Sequence, residues 1–207
     1  MKTASNRFSN VIKEVASTIL KENGFKKQGL NFYKPFDELS HTINIQKDKW
    51  NTKELIRFTF NIGVFSNKYW LSEYDYEEKC QLPKFPNESS SIIRERIGEL
   101  KFGEDYWYTI ESQRLEYGLV KELKEDIQKY VLPFLNSITN VRQLIQYLKN
   151  NQTAYGADYK LFIILAEEGL MEEAKLVYAS MKKSTKQKEQ LKFLLKKGIK
   201  YKIEEGL

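Results

Sequence analysis

Arg57, Thr59 and Asn61 alternate with Phe58, Phe60 and Ile62. In an extended chain, residues two apart share a face, so a guanidinium, a hydroxyl and an amide stand opposite three large apolar groups. Thr42, Asn44 and Gln46 repeat the pattern around Ile43 and Ile45, and Arg94 and Arg96 do so between Ile93 and Ile97. If these segments pair, their polar positions form one surface bearing three guanidinium groups. Arginine captures carboxylate or phosphate through two parallel hydrogen bonds. Trp50 and the run Tyr106-Trp107-Tyr108 could wall such a groove, and large aromatics are common in binding hot spots. The candidate ligand-binding residues are therefore Gln46, Trp50, Arg57, Asn61, Arg94, Arg96 and Trp107. The guanidinium groups are expected to converge near Asn61 and Gln46. Like charges held that close need an acid such as Glu95 or Glu111 between them, or an exogenous anion. The plain alternative is the wet side of an ordinary antiparallel sheet.

Other chemistry is poorly supported. The chain has one cysteine, Cys80, and one histidine, His41, not at metal-ligand spacing, and no third group to orient them as a dyad. Glu77-Glu78 and Glu104-Asp105 are adjacent acids in loop-like sequence, a pattern of solvation rather than of acid–base catalysis. The glycines are scattered and form no phosphate-cradling loop. Neither a metal nor a cofactor is expected, and an enzyme is the less favoured class.

The elements that would hold this face are legible in the spacing. Phe8, Val11, Ile12, Val15, Ala16, Ile19 and Leu20 predict an amphipathic helix, with Ser5 as its N-cap and Asn23-Gly24 as its stop. Short strands are predicted on either side of Gly29, then strands at 42–46, 53–66 and 93–100, the last with Gly98 at a bulge or close approach. Residues 67–88 read as a long connection. Leu115, Leu119, Leu123, Ile127, Tyr130, Val131 and Phe134 predict a second long helix, bent or ended at Pro133. The long helices can cover only the side of Ile43, Ile45, Phe58, Phe60 and Ile62. The fold class is α+β, a small mostly antiparallel sheet backed by two long helices over 1–139. An all-helical, hairpin-like extension follows over 140–207, its last helix ended by Gly198.

Apolar residues make up 41% of the chain and aromatics 14%, which excludes disorder and supports a packed core. The longest apolar run, Leu161 to Ala166, is far short of the ~20 residues a spanning helix needs. No signal-like segment opens the chain, and a lone cysteine suits a reducing compartment, so the expected setting is the cytoplasm without membrane contact. The net charge is +6, and nine lysines against Glu189 fall between Lys182 and Lys202. Lys188, Lys192, Lys196, Lys197 and Lys200 form the candidate basic patch, which is either a solvated helix face or a surface for nucleic acid or an acidic protein.

Several of these segments together resemble a bacterial family, domain of unknown function 4304. They are Glu22-Asn23-Gly24-Phe25-Lys26-Lys27, Asn31-Phe32-Tyr33, Ile45-Gln46-Lys47, Trp50-Asn51, Arg57 to Phe65, Arg94-Glu95-Arg96-Ile97-Gly98, Trp107 and Leu132-Pro133-Phe134-Leu135. The resemblance covers about residues 8–135; it implies a fold and no mechanism. The leading functional expectation is a non-catalytic module that binds another protein, with a surface of the immunity or antitoxin kind. The alternatives are a nucleic-acid-binding protein that uses the basic C-terminal helix and a small-anion-binding enzyme that uses the arginine face. The sequence does not specify an oligomeric state.

Overall fold

The computed structural model describes residues 3–74, 81–112, 117–151 and 156–204. Helix α1 comprises Ala4–Val11, a π turn at Ile12–Ala16 and Ser17–Glu22. Strands β1 (Lys26–Gln28), β2 (Asn31–Pro35), β3 (Leu39–Lys47) and β4 (Leu55–Ser66) follow, then α2 (Asn67–Glu73), β5 (Ile93–Arg96), α3 (Ile97–Phe102) and β6 (Tyr108–Glu111). Helix α4 comprises Tyr117–Asp126, a π turn at Ile127–Val131 and Leu132–Asn136. Four helices complete the described chain: α5 (Val141–Asn150), α6 (Ala157–Glu167), α7 (Met171–Ser184) and α8 (Lys188–Lys200). The chain forms two compact units, residues 1–66 with 82–140, and residues 67–81 with 141–207. The second unit thus includes a segment that the sequence reading assigned to the sheet domain.

The first unit is α+β with an antiparallel sheet. Strands β1 to β5 lie in chain order, and β6 also pairs with β4. One edge of β4 is therefore shared, by β5 at Asn61–Val64 and by β6 at Leu55–Phe58. Phe60, Ile62, Ile43, Ile45, Phe58 and Tyr108 are buried on one face, where Phe8 of α1 meets Phe58 edge-on at 5.1 Å. Several expectations need correction. The helix cap is Thr3, whose hydroxyl accepts from the Asn6 N–H at 3.2 Å, and Ser5 lies inside the helix. The strand predicted over 93–100 stops at Arg96 because the chain turns into α3. There a Cβ on Gly98 would fall on the backbone oxygen of Glu104, a close approach rather than a bulge. Part of the connection over 67–88 is helical as α2. Helix α4 runs through Pro133, and the π turn just before it accommodates the proline. Leu115 lies outside the described residues.

His41 sits on the apolar side of β3, fully buried between Phe25 and Phe36. Its Nε2–H donates to the Ile138 carbonyl at 2.8 Å and ties β3 to the chain just past α4. Nδ1 is left without a partner among the described residues. Burial, aided by Lys34, pushes the imidazole down to about 4, against the opposing pull of the Ile138 bond.

In the second unit α6 is apolar nearly all round, with Leu161 to Ala166 buried, as a helix enclosed by others must be. Its polar ties are concentrated on α2. Tyr159 donates to Glu73 at 2.6 Å, and Lys68 pairs with Glu168 at 2.8 Å. The Lys197 ammonium donates to the Ser72 carbonyl at 2.5 Å and lies 3.5 Å from Glu73. Tyr201 bridges Ser72 (2.7 Å) and Glu167 (2.6 Å). Gly198 does not end α8 but lies within it.

Three expected outcomes follow from this packing. Phe60→Ala should cost about 3–5 kcal/mol, read as a lowered denaturant midpoint. An unfolded chain takes a proton on His41 near its ordinary value, whereas the folded chain resists until about 4. Stability should therefore fall as pH drops from about 6.5, by roughly 3 kcal/mol in all. Urea melts of wild type and His41→Gln between pH 7 and 4.5 should converge as pH falls, and parallel curves would contradict a buried neutral imidazole. A fragment ending at Asn140 should keep slow hydrogen exchange in β3 and β4 but lose it in α2, whose partners Tyr159, Glu168 and Lys197 are gone.

Candidate functional site

The polar side of the sheet is built by register. Asn31 opposes Asn44, Asn44 opposes Asn61, and Asn61 opposes Arg96, so four side chains form a row across β2, β3, β4 and β5. Directly opposed residues point to the same face. The amides link up along the row. Asn44 donates to Asn31 at 2.8 Å, and Asn61 donates to Gln46 at 2.8 Å and to Asn44 at 3.4 Å. Arg96 closes the row, with Nε on Asn61 Oδ1 (3.2 Å), one terminal nitrogen on Gln46 Oε1 (3.3 Å) and the other on Asp105 Oδ1 (2.8 Å). Asp105 also accepts from the Trp107 indole at 2.8 Å. The indole N–H, with Arg96 behind it, holds the Asp105 carboxyl below its ordinary range. Two guanidinium groups lie near the Trp107 ring, Arg96 at 5.5 Å and Arg57 at 5.7 Å from its centroid.

Arg57, Arg94 and Arg96 share this face, and each guanidinium has its own carboxylate. Arg57 pairs with Asp48 at 3.3 Å, Arg94 with Glu88 at 2.5 Å, and Arg96 with Asp105 at 2.8 Å. The acids of these three pairs are Asp48, Glu88 and Asp105. They come from loops, where sequence parity carries no information; the adjacency of Glu104 and Asp105 was the only mark on the chain. An open cleft of about 290 Å³ lies above Gln46, Asn61, Arg94 and Arg96, with Glu88, Glu95 and Glu99 also in its walls. Three carboxylates against two guanidinium groups make it an unfavourable place for a free anion.

The face is also less open than expected. Thr42 and Thr59 are fully buried, and Ser91 meets Thr42 hydroxyl to hydroxyl at 2.8 Å. A Cβ on Gly63 would come within 2.6 Å of both hydroxyl oxygens, so this close approach requires glycine. The segment around the 3-10 turn Glu88–Ser90 thus roofs one end, and Phe85 packs on Tyr33 at 5.3 Å. Trp50 is 77% exposed, with Lys49 over its ring, and is not among the residues that line the cleft.

The basic patch divides. Lys197 is buried, and Lys200 is held by Ser72 (3.3 Å) and Glu167 (3.7 Å), so neither belongs to a free basic surface. Lys188, Lys192 and Lys196 remain exposed, four residues apart on α8, with Lys192 on Glu189 at 2.9 Å. His41 is buried elsewhere, Cys80 and Glu77-Glu78 lie outside the described residues, and no three His, Cys, Asp or Glu side chains among the described residues are grouped to hold a metal.

Sequence reasoning missed one cluster. Lys101 of α3 donates to Glu122 (2.8 Å) and Asp126 (2.9 Å) on α4, which also accept from Tyr106 (2.7 Å) and Tyr108 (2.6 Å). Burial alone would lower the Lys101 ammonium, but the two carboxylates outweigh it and hold it above its ordinary value. Burial and Glu122 push the Tyr106 phenol up to about 12, and burial with Asp126 raises Tyr108 further. The lysine has no lone pair to offer and the phenols keep their protons, so none of these three serves as nucleophile or base, and the cluster locks α3 and β6 to α4. The i, i+4 spacing of Glu122 and Asp126 was its visible trace.

No helix among the described residues is long and apolar enough to cross a membrane. No curated protein and no solved structure matches the chain. A family model does match, over residues 16–137, which takes in the sheet, the Arg96 row, Trp107 and the Lys101 cluster. With more than half of its length under that match, the chain belongs to the family described as Domain of unknown function (DUF4304).

Proposed function

We propose that the protein is a non-catalytic binding module whose partner is another protein and whose contact surface is the sheet face around Arg96. The observation that carries this reading is the anchoring of Arg96 by Asn61, Gln46 and Asp105 beside Trp107. Arginine and tryptophan are the residue types that dominate protein interfaces, and here they are held in place before any partner arrives. Every arginine on the face already has a carboxylate, so a free anion would have to displace Asp48, Glu88 or Asp105. A partner protein need only match a fixed pattern of donors and acceptors. This disfavours the small-anion enzyme. A surface of this kind suits an immunity or antitoxin role, in a reducing cytoplasm that leaves Cys80 as a thiol. The second reading, nucleic acid on α8, rests on the three exposed lysines Lys188, Lys192 and Lys196.

Capture from a lysate of the native host separates the readings. Wild type, Arg96→Ala/Trp107→Ala and Lys188→Glu/Lys192→Glu/Lys196→Glu serve as baits. A protein retained by wild type and by the lysine variant, but lost from the sheet variant, is the expected outcome. Nucleic acid retained by wild type, released by salt and lost with the lysines would favour α8 instead. Identical captures by all three baits would remove both surfaces.

A further inference from the structure

We infer that the helical unit holds a separate small-molecule site, between α6, α7 and α8, for an amphipathic amine: an apolar body with an ammonium head. The cavity there measures about 660 Å³, within the range of ligand pockets. Ala157, Met181 and Leu194 supply a buried apolar floor. Tyr159 and Phe193 form one wall, their rings 5.6 Å apart at 46°, and Phe193 is left about half exposed at 49%. An aromatic held half out of water beside an apolar floor is what an apolar ligand body would cover.

The polar lining decides the head group. Ser184 and Thr185 both donate to the Met181 carbonyl, at 3.0 and 2.7 Å, and the Tyr159 hydroxyl donates to Glu73 at 2.6 Å. The hydroxyl protons are therefore committed, and toward the cavity these groups can only accept. Asp158 and Glu189 add carboxylates to the lining; Asp158 has no ion-pair partner among the described residues, and Glu189 meets only Lys192 at 2.9 Å. Gln190 is the one lining side chain with amide donors to offer. A lining of acceptors calls for a ligand that donates, and two carboxylates call for a positive one. The ring faces add to this preference, since aromatic faces attract cations, and Lys197 already lies 5.8 Å from the Phe193 centroid. No lysine lines the cavity; those of α8 lie outside it.

The test uses the full chain and three probes of one length: octylamine, octanoate and octanol. Amide shifts in α6, α7 and α8 are followed by NMR during titration at neutral pH. Octylamine should bind saturably, with octanoate and octanol at least about tenfold weaker, the scale of one charge-assisted hydrogen bond. Asp158→Asn should weaken octylamine by a similar factor and leave octanol unchanged. Phe193→Ala, which removes a half-exposed ring, should weaken both. Octanoate binding as well as octylamine, an Asp158→Asn variant that binds like wild type, or no saturable binding by any probe would overturn the proposal. These outcomes are independent of the sheet-face reading, because none of the residues involved lies in that unit.

Discussion

Strand β4 can bury its backbone only if three other strands stop in the right places. From Ile56 onward almost every residue but Arg57 is buried, so its N–H and C=O groups need partners on both edges. One edge is filled by β3 over nine residues. The other is filled in two pieces, β5 and β6, and the chain between them must leave the sheet and return. That detour is α3 and the loop after it, and it determines what stands over the polar face. Asp105 and Trp107 reach Arg96 because β6 must begin at Tyr108 to meet Phe58. The geometry of the candidate surface is thus a consequence of strand pairing. A one-residue slip of β6 would turn Tyr108 out of the core and separate Arg96 from its acid.

Each unit also holds a lysine against acids, part-buried in the first and buried in the second. Lys101 lies against Glu122 and Asp126, and Lys197 against Glu73 and the Ser72 carbonyl. Such pairs add little net stability over apolar groups of the same shape, because desolvation offsets much of the Coulomb attraction. What they add is discrimination between arrangements. An α4 rotated by one residue, or an α2 shifted along α6, would leave a cation buried without its acid, a far greater penalty than a misfitted leucine.

The alternating strands were the most legible part of the chain. Phe58, Phe60 and Ile62 against Arg57, Thr59 and Asn61 specify a face without reference to anything distant, as do Ile43 and Ile45. The same pattern misled at Ile93 to Ile97, where alternation continues past the point at which Gly98 lets the chain pass close to Glu104. Strand β6 was hidden because Tyr106-Trp107-Tyr108 reads equally well as a groove wall, and only pairing with Leu55–Phe58 makes it a strand. Of the acids of the site, only Asp105 left a mark, its adjacency to Glu104. Asp48, Glu88 and Asp105 sit in turns, and a turn residue's reach is set by tertiary structure, not by period. Lys197 makes the same point in reverse. In a block of nine lysines it has the local sequence of a surface residue, and only the neighbouring Ser72 and Glu73 explain its burial.

Helix α2 belongs with helices made much later, and this has a consequence for synthesis. Tyr159, which secures Glu73, follows it by 86 residues. At about 5–20 residues per second on the ribosome, α2 emerges roughly 4–17 s before its partner exists. During that interval Ser72 and Glu73 have neither Lys197 nor Tyr159. Glu73 can stay hydrated, but the apolar side of a seven-residue helix cannot hold itself in register alone. Meanwhile β3 and β4 are already out and able to pair, while β5 and β6 follow within a few tens of residues. The contacts that hold α2 can therefore form only after Tyr159 and then Lys197 have been made, well after the strands of the sheet.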